Sequence, residues 1–288
     1  MKHIKYFVQF IIIIFLFLIF RFLGLKNSRI ISSFIFKKLG SFFRSNNISL
    51  NNLSFAFPNL SENEKKEIIK QMWANYGKIF SEYMFIKNFR KNLEFSNKIQ
   101  VENQEELEKI KHEGKPVIFV SGHFNNFELM AMHIEKSKID LAAVYRPLNN
   151  NFLNPIMEHI RKRYICKKQI KKGISGTKEI LKEFKNGTSI ALMIDQRVSE
   201  GVKCNLFGKT ALTTTIPAQF IKKFNASVVP IYIERLENEN FKLKILKKIK
   251  FSAEISVFEI TKQLNEVLEK MIKSNPDQWI WTHNRWKI

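Results

Sequence analysis

Residues 116–130, with the sequence PVIFVSGHFNNFELM, indicate how this chain folds. The apolar run 117–120 is made of residues that favour β-strands, and it ends at a Ser-Gly pair followed by His123. A helical pattern then begins at Asn125 or Asn126. The stretch therefore predicts a buried strand, a turn that carries the histidine, and a helix.

Strand and helix patterns alternate along the rest of the chain. Further strands are predicted at residues 140–145, 188–194, 203–207, 227–235 and 241–249. Helices are predicted at residues 62–87, 102–112, 150–163, 173–185, 213–224 and 254–274. This order predicts an α/β fold with a layered mixed β-sheet flanked by helices, in which the last two strands form an antiparallel hairpin.

His123 and Glu128 are the first candidates for chemistry. Residues five apart on a helix lie about 140° apart around its axis, so the two could not touch if both were helical. With His123 in the turn, Glu128 on the first helical turn can reach back and stabilise the imidazolium. The pattern predicts a histidine general base, with Asn126 either capping the helix or holding substrate. On spacing alone, a capping histidine with an unrelated glutamate remains the alternative.

Two other predicted strands also end in polar residues. Arg146 ends the strand 140–145, and Asp195, Gln196 and Arg197 follow the strand 188–194. Ligands of open α/β sheets bind at the carboxyl ends of strands, so these residues are predicted to bind substrate beside His123. The alternative is a structural ion pair between Arg146 and Asp195.

Lys209 and Thr213 stand before the predicted helix 213–224. A lysine and a hydroxyl at a helix N-terminus can bind an anionic group, which makes both candidate substrate-binding residues. An ordinary N-cap series is the alternative interpretation.

The N-terminus predicts a membrane anchor. Residues 4–25 are overwhelmingly apolar, which is just long enough to span a bilayer, and no small-x-small cleavage site of a signal peptide follows. More basic residues follow the run than precede it, which places the body of the protein in the cytoplasm. We expect a transmembrane anchor at residues 1–25 and one catalytic domain at residues 26–288. Residues 30–43 are expected to lie on the membrane surface or to pack on the domain.

Charge content restricts the possible partners, and cysteine content indicates a reducing compartment. Lys and Arg total 48 against 26 Asp and Glu, a net charge of +22 that favours acidic lipids, phosphorylated glycolipids, an acidic carrier protein or nucleic acid. The two cysteines, Cys166 and Cys204, have no spacing typical of a metal site or a disulfide framework and are expected to be free thiols. No metal site is predicted.

The histidine, four residues and an acid after a hydrophobic strand resemble the glycerolipid and lysophospholipid acyltransferase superfamily. Four further stretches are similar to the bacterial lipid A late acyltransferases, which are lauroyl and myristoyl transferases: YRPLNNNFLNPIM, ALMIDQR, LFGKTALTTTIPAQFIKKFNASVVPIY and PDQWIWTHNRWK. The resemblance extends over nearly the whole chain. It implies an acyltransferase-like fold and supports Arg146 and Asp195 as site residues.

The resemblance also implies the reaction and the partners. We expect transfer of a fatty acyl chain from an acyl carrier protein to a hydroxyl of a lipid A precursor, with His123 and Glu128 as a catalytic dyad. No cofactor is implied, and neither is nucleic acid. The expected location is the cytoplasmic face of the inner membrane, in contact with its lipids. A glycerophospholipid acyltransferase is the nearest alternative, and a basic membrane-bound scaffold without turnover is the alternative from another class.

Overall fold

The computed structural model describes residues 2–287. The helices are α1 (Lys2–Phe43), α2 (Asn46–Ala56), α3 (Glu62–Glu82), α4 (Ile86–Lys91), α5 (Leu93–Ser96), α6 (Gln104–Glu113), α7 (Glu128–Lys136), α8 (Leu153–Ile160), α9 (Ile174–Lys185), α10 (Ile216–Phe224) and α11 (Val257–Ser274). The strands are β1 (Ile99–Glu102), β2 (Ile118–Ser121), β3 (Leu141–Tyr145), β4 (Lys168–Lys171), β5 (Ser189–Met193), β6 (Val202–Leu206), β7 (Lys209–Thr213), β8 (Val228–Arg235) and β9 (Phe241–Ile245). A π-helical turn, Arg161–Ile165, follows α8, and 3-10 turns lie at Tyr83–Phe85 and Pro276–Gln278.

Seven strands form one mixed sheet in the order β1-β9-β8-β2-β5-β3-β4. The five strands from β8 to β4 run parallel to one another, and β9 is antiparallel to β8. The predicted α/β fold and the antiparallel hairpin of β8 and β9 are confirmed. The remaining strands, β6 and β7, form a separate two-stranded hairpin.

The central strands are buried on both faces, as expected for a parallel sheet covered by helices. On β2, Ile118 and Val120 pack into one apolar cluster with α10 and α11, while Phe119 packs into a second cluster with α7. Because alternate residues of a strand point to opposite faces, one short apolar run contributes to both layers.

The structure differs from the sequence-based prediction in three strands and in the helix after His123. Strand β7 was not predicted, since the only strand expected in that region was at residues 203–207. The two edge strands β1 and β4 were not predicted, because IQVE and KQIK are half-exposed edge segments with little apolar pattern. Helix α7 begins at Glu128, not at Asn125 or Asn126. Asn125 has φ of 42°, a left-handed conformation that a helix cannot continue through.

Helix α1 breaks at Gly24, where φ is 74° and ψ is 169°. The part after the break packs along α3 so closely that a Cβ on Gly77 would lie 2.2 Å from the backbone oxygen of Ser32. Its opposite face leaves Ile30 and Phe34 exposed. Residues 30–43 therefore pack on the domain and also present an apolar face to the outside.

The part of α1 before Gly24 is long and apolar enough to cross a membrane. Phe17 and Phe20 pack against Phe80 of α3, and Phe7 packs against Phe152 near the start of α8. The outer face of this segment is exposed and apolar. This part of α1 therefore lies along the domain and could anchor it in a membrane.

Candidate active site

Two neighbouring parallel strands bring the central residues together. β2 ends at Ser121 and β5 ends at Met193, and these two residues are register partners. The chain continues from these ends to His123 and to Asp195, which therefore meet at the carboxyl edge of the sheet. Gly122 permits the approach, since a Cβ there would lie 3.2 Å from the Cβ of Asp195.

Asp195 holds His123 through both carboxylate oxygens. His123 Nδ1 lies 2.8 Å from Oδ1, and the backbone N–H of His123 donates to Oδ2 over 2.7 Å. The indole Nε1 of Trp279 also donates to Oδ2, over 2.9 Å. Asp195 is 1% exposed, so these bonds replace the water that an ionised carboxylate would otherwise require.

The hydrogen bond to Asp195 determines which ring nitrogen of His123 can accept a proton. Burial disfavours the imidazolium, but the charge of Asp195, the hydrogen bond to it and the nearby charge of Glu128 raise the pKa of His123. Burial likewise opposes the charge of Asp195, yet His123 and Trp279 lower its pKa. With Nδ1 donating to the carboxylate, Nε2 is the free acceptor, which is the arrangement of a general base.

Glu128 does not make the expected hydrogen bond to His123. Its Oε1 accepts from Arg161 Nε over 2.8 Å and from Nη2 over 2.6 Å, and the hydroxyl of Tyr83 donates to the same oxygen. The left-handed turn at Asn125 delays the helix until Glu128, so the carboxylate faces Arg161 and not the ring. Both Glu128 and His123 nevertheless line one cavity.

Arg161 was missed in the sequence. It follows α8 in a π-helical turn, and its guanidinium lies 5.5 Å from the ring centre of Tyr145. Burial works against its charge, but Glu128 raises the pKa of Arg161. In the sequence it is one of several basic residues near a helix end, and no spacing links it to Glu128. The hydrogen bond of Trp279 to Asp195 was not predicted either, because the two residues lie 84 positions apart in the chain.

Asn126 is fully buried and lies outside the cavity at His123. Its Nδ2 donates to Glu82 Oε2 over 2.9 Å, while Arg29 and Arg235 donate to Oε1 of the same glutamate. Burial raises and the two arginines lower the pKa of Glu82, and the net shift is downward. The structure thus places Asn126 in a buried charged network that supports the turn, away from the cavity where substrate was expected.

Arg146 and Gln196 line the cavity at His123, so the predicted position beside the histidine is confirmed, and their binding of substrate stays a prediction. Arg146 is exposed and forms no ion pair among residues 2–287, so the alternative of an Arg146–Asp195 pair does not hold there. Arg197 lies farther out: its Nε donates to the backbone oxygen of Lys287 over 2.7 Å.

A second histidine lines the cavity, His283, but its Nε2 already accepts a hydrogen bond. The backbone N–H of Arg197 donates to His283 Nε2 over 2.9 Å. Burial lowers the pKa of His283 to about 4, so it stays neutral near pH 7. His283 therefore lacks the free acceptor nitrogen that His123 has.

Lys209 and Thr213 do not come to the cavity. The ammonium of Lys209 lies 5.9 Å from the ring centre of Phe55 on the surface. Thr213 is 1% exposed, and its hydroxyl accepts from Arg285 Nη2 over 2.7 Å and from Asn265 Nδ2 over 3.1 Å. These contacts are those of a residue that fastens the C-terminal tail to β7.

The cavity at His123 has a volume of about 680 Å³, within the range of small-molecule sites. One side carries the polar groups described above. The other side is apolar and extends between α7 and the sheet, where it is lined by Phe119, Met130, Ala131, Ile134, Ala143 and Ile231. In the described part of the chain, no three His, Cys, Asp or Glu side chains are grouped as metal ligands would be.

These features define an α/β protein with a hydrogen-bonded His–Asp pair at the polar side of an apolar cavity. Residues 1–288 match the sequence model of bacterial lipid A biosynthesis acyltransferases, so the chain belongs to this family and is an acyltransferase of lipid A biosynthesis. The family expected from the sequence is confirmed.

Three curated relatives agree with this assignment. The lipid A biosynthesis lauroyltransferase of Escherichia coli K12 is 24% identical over 240 residues, which cover 82% of this chain and 77% of the relative. The lipid A biosynthesis acyltransferase 2 of Shigella flexneri is 22% identical over 237 residues, or 80% and 74% of the two chains. The lipid A biosynthesis acyltransferase of Haemophilus influenzae is 21% identical over 242 residues, or 80% and 72%.

Proposed function

We propose that this acyltransferase moves a fatty acyl chain from the thioester of an acyl carrier protein to a hydroxyl group of a lipid A precursor. The observation that carries the proposal is the hydrogen bond of His123 to buried Asp195, which leaves Nε2 free in a cavity with an apolar end. An alcohol is a weak nucleophile until its proton is removed, and a positioned histidine contributes about 10²–10⁴ to such a step.

In the proposed reaction His123 Nε2 takes the proton of the acceptor hydroxyl. The oxygen attacks the thioester carbonyl carbon, a C–O bond forms, and the carbonyl oxygen becomes an oxyanion. The C–S bond then breaks, and the leaving thiolate takes the proton from the imidazolium. The sequence has no G-x-S-x-G nucleophile motif, which favours this direct transfer over a covalent acyl-enzyme.

Glu128 and Arg161 act as a pair in this proposal. Glu128 holds the guanidinium through two N–H groups, and its negative charge favours the imidazolium of His123. The same guanidinium lines the cavity, where its positive charge can stabilise the developing oxyanion. Glu128 therefore remains a catalytic candidate, with a role that runs through Arg161 as well as through charge.

The polar mouth and the apolar end of the cavity fit two parts of the substrates. Arg146 is exposed at the mouth, where its planar guanidinium can bind a phosphate bidentately, and Gln196 lies beside it. A fatty acyl chain fits the apolar end between α7 and the sheet, with its thioester carbon near His123.

We place the enzyme on the cytoplasmic face of the inner membrane. The apolar part of α1 can insert into the bilayer, and the net charge of +22 attracts acidic lipids and an acidic carrier protein. Insertion of α1 and the positive charge would together bring a membrane-embedded acceptor and a soluble donor to one site.

The proposal is tested with purified full-length protein in detergent. Acyl carrier protein thioesters of different chain lengths, and the matching acyl-coenzyme A thioesters, are each supplied with a lipid A precursor or with a lysophospholipid, and the products are identified by mass spectrometry. We expect acylated lipid A precursor, and we expect His123→Ala to abolish turnover while the protein stays folded.

Three results would contradict the proposal. Acylation of the lysophospholipid alone would identify a glycerophospholipid acyltransferase. Turnover with acyl-coenzyme A but not with acyl carrier protein would show that the proposed acyl donor is wrong. Near-normal turnover of a folded His123→Ala variant would remove the histidine from the mechanism.

A further inference from the structure

A second cavity lies between the part of α1 after Gly24 and the body of the protein. Its volume is about 720 Å³, and it shares no lining residue with the cavity at His123. Its walls come from α1, α3, the segment around α5 and the turn between β8 and β9. The charged lining residues are five basic and two acidic side chains: Lys26, Arg29, Lys37, Lys78 and Lys98, with Glu94 and Glu239.

Arg29 is the buried cation of this cavity. It is 5% exposed, its Nε donates to Glu82 over 2.6 Å, and its Nη1 donates to the backbone oxygen of Glu239 over 2.9 Å. Arg235 donates to the same oxygen of Glu82 over 2.7 Å, so two guanidinium groups share one carboxylate. Within the described residues, Arg29 Nη2 has no hydrogen-bond partner. Glu239 pairs with Arg235 and with Lys78, so the network sets three cations against two carboxylates and keeps one excess positive charge beside the cavity.

The lysines at the edge of the cavity add to this charge. Lys78 is paired with Glu239 at 2.5 Å, but Lys26, Lys37 and Lys98 take part in none of the ion pairs among residues 2–287. Unpaired positive charges around a concave surface raise the local concentration of anions. A phosphate group, with several acceptor oxygens, matches such a set of donors.

Exposed apolar side chains form the rest of the edge. Ile30 is 59% exposed and Phe34 is 63% exposed, and both line the cavity. They lie on the segment that directly follows the apolar part of α1, so insertion of that part into a bilayer would bring them to the membrane surface. A free phosphate ion would make no use of these groups, whereas a lipid would place its chains along them.

From these contacts we propose that the second cavity binds the phosphate headgroup of an anionic phospholipid of the surrounding membrane. The phosphate oxygens face Arg29, Lys37 and Lys98, and the chains run along Ile30 and Phe34 into the bilayer. Since this cavity is separate from the one at His123, its occupant is a bound membrane lipid and not the reacting acceptor. The site does not depend on which donor or acceptor the active site uses.

The experiment compares two double variants of the full-length protein in an uncharged detergent. The cavity variant, Lys37→Gln/Lys98→Gln, removes two cations of the cavity. The control variant, Lys38→Gln/Lys66→Gln, removes two exposed lysines outside it, and Lys38 lies on α1 beside Lys37. Dioctanoyl phosphatidylglycerol, dioctanoyl phosphatidylcholine, inorganic phosphate and a phosphorylated glycolipid are titrated separately into each protein, and binding is measured by calorimetry and by the rise in Tm. Tm without lipid shows whether each variant is folded.

We expect phosphatidylglycerol to bind the parent protein more tightly than phosphatidylcholine. The cavity variant should bind it about 10- to 30-fold more weakly, and the control variant should bind it nearly as the parent does. Equal weakening in both variants would overturn the proposal in favour of a diffuse surface field. Equal binding of the two lipids would show an apolar groove without headgroup recognition. Inorganic phosphate or a phosphorylated glycolipid binding at the cavity in place of phosphatidylglycerol would show that the occupant is a different one.

Discussion

Three hydrogen bonds end on the buried carboxylate of Asp195, two from His123 and one from Trp279. Hydrogen bonds to a carboxylate favour its charged form, so Asp195 stays ionised in the interior. An ionised partner on Nδ1 fixes both the tautomer and the rotation of the imidazole. At the scale of single residues, activity is therefore expected to depend on Asp195 as strongly as on the histidine it holds.

Asp195→Asn tests this dependence. An amide can hold the ring in the wrong tautomer, so we expect kcat to fall on the order of 10⁴-fold. The neutral imidazole is the active form, and Asp195 raises the pKa of His123, so the parent enzyme loses activity as pH falls through this raised pKa. Without the charge of Asp195 the pKa of His123 is lower, so the acid limb of the variant's residual activity should lie at lower pH than that of the parent enzyme. The measurement is kcat/KM against pH, and an unmoved limb would contradict the role of Asp195.

Glu128→Gln tests whether the carboxylate of Glu128 has a role different from that of Asp195. The side chains of Glu128 and Arg161 are 8% and 11% exposed, so losing the carboxylate leaves a buried guanidinium without its counter-charge. We expect the free energy of unfolding to fall by about 3–5 kcal/mol. Glu128→Gln/Arg161→Met should regain part of this loss, because both charges are then absent. Unfolding curves of the two variants decide, and unchanged stability of Glu128→Gln would mean that the pair does not hold the fold.

Helix α1 is joined to the domain by close backbone contact with α3. A Cβ at Gly40 would meet the ring of Trp73 at 2.2 Å, and one at Gly77 would meet the backbone oxygen of Ser32 at the same distance. Small residues at both points let the helices approach, and this approach lets Arg29 reach Glu82. At the scale of elements, the helix pair positions both the exposed apolar face of α1 and the buried network under Asn126.

Gly77→Ala tests this packing. In an ordinary helix interior the change stabilises by about 0.5–1 kcal/mol. Here the backbone of Ser32 has no room for the new methyl group, so we expect a loss of about 1–3 kcal/mol and easier proteolysis of α1. Lys66→Ala, on the exposed face of the same helix, is the control and should change stability by less than about 0.5 kcal/mol. A more stable Gly77→Ala variant would show that the two helices separate without cost.

At the scale of the whole molecule, the apolar and charged surfaces act together. The exposed apolar face of α1 continues past Gly24 to Ile30 and Phe34, while the chain carries a net charge of +22. Apolar insertion and attraction to acidic lipids are separate contributions to membrane binding. Removing one of them should therefore leave the other.

Deletion of residues 1–25 tests how the contributions divide. We expect less protein in the membrane fraction, with a remainder that high salt releases, because the remainder is held by charge and by residues 30–43. The deletion also uncovers Phe80, so Tm of the truncated protein is the control for folding. A freely soluble truncated enzyme with unchanged activity on membrane-embedded acceptor would contradict the role of α1.

Local patterns in the sequence were sufficient for most elements. The strand before His123, the antiparallel hairpin of β8 and β9 and the start of α3 at Glu62 all agree with the prediction, and Ser61 and Glu64 form a capping box at that helix start. Each depends on residues close together in the chain, through side-chain period or a short hydrogen bond. The position of His123 in a turn at a strand end, and thus its candidacy as a base, came from the same local information.

The partner of His123 was decided only by tertiary structure. Asp195 lies 72 residues away in the chain and reaches the ring because β5 pairs with β2 in the sheet, a pairing with no local signal. Glu128 is only five residues away, but the left-handed residue Asn125 turns it toward Arg161. Sequence spacing could show which groups were available, whereas strand order and one backbone torsion determined which of them met.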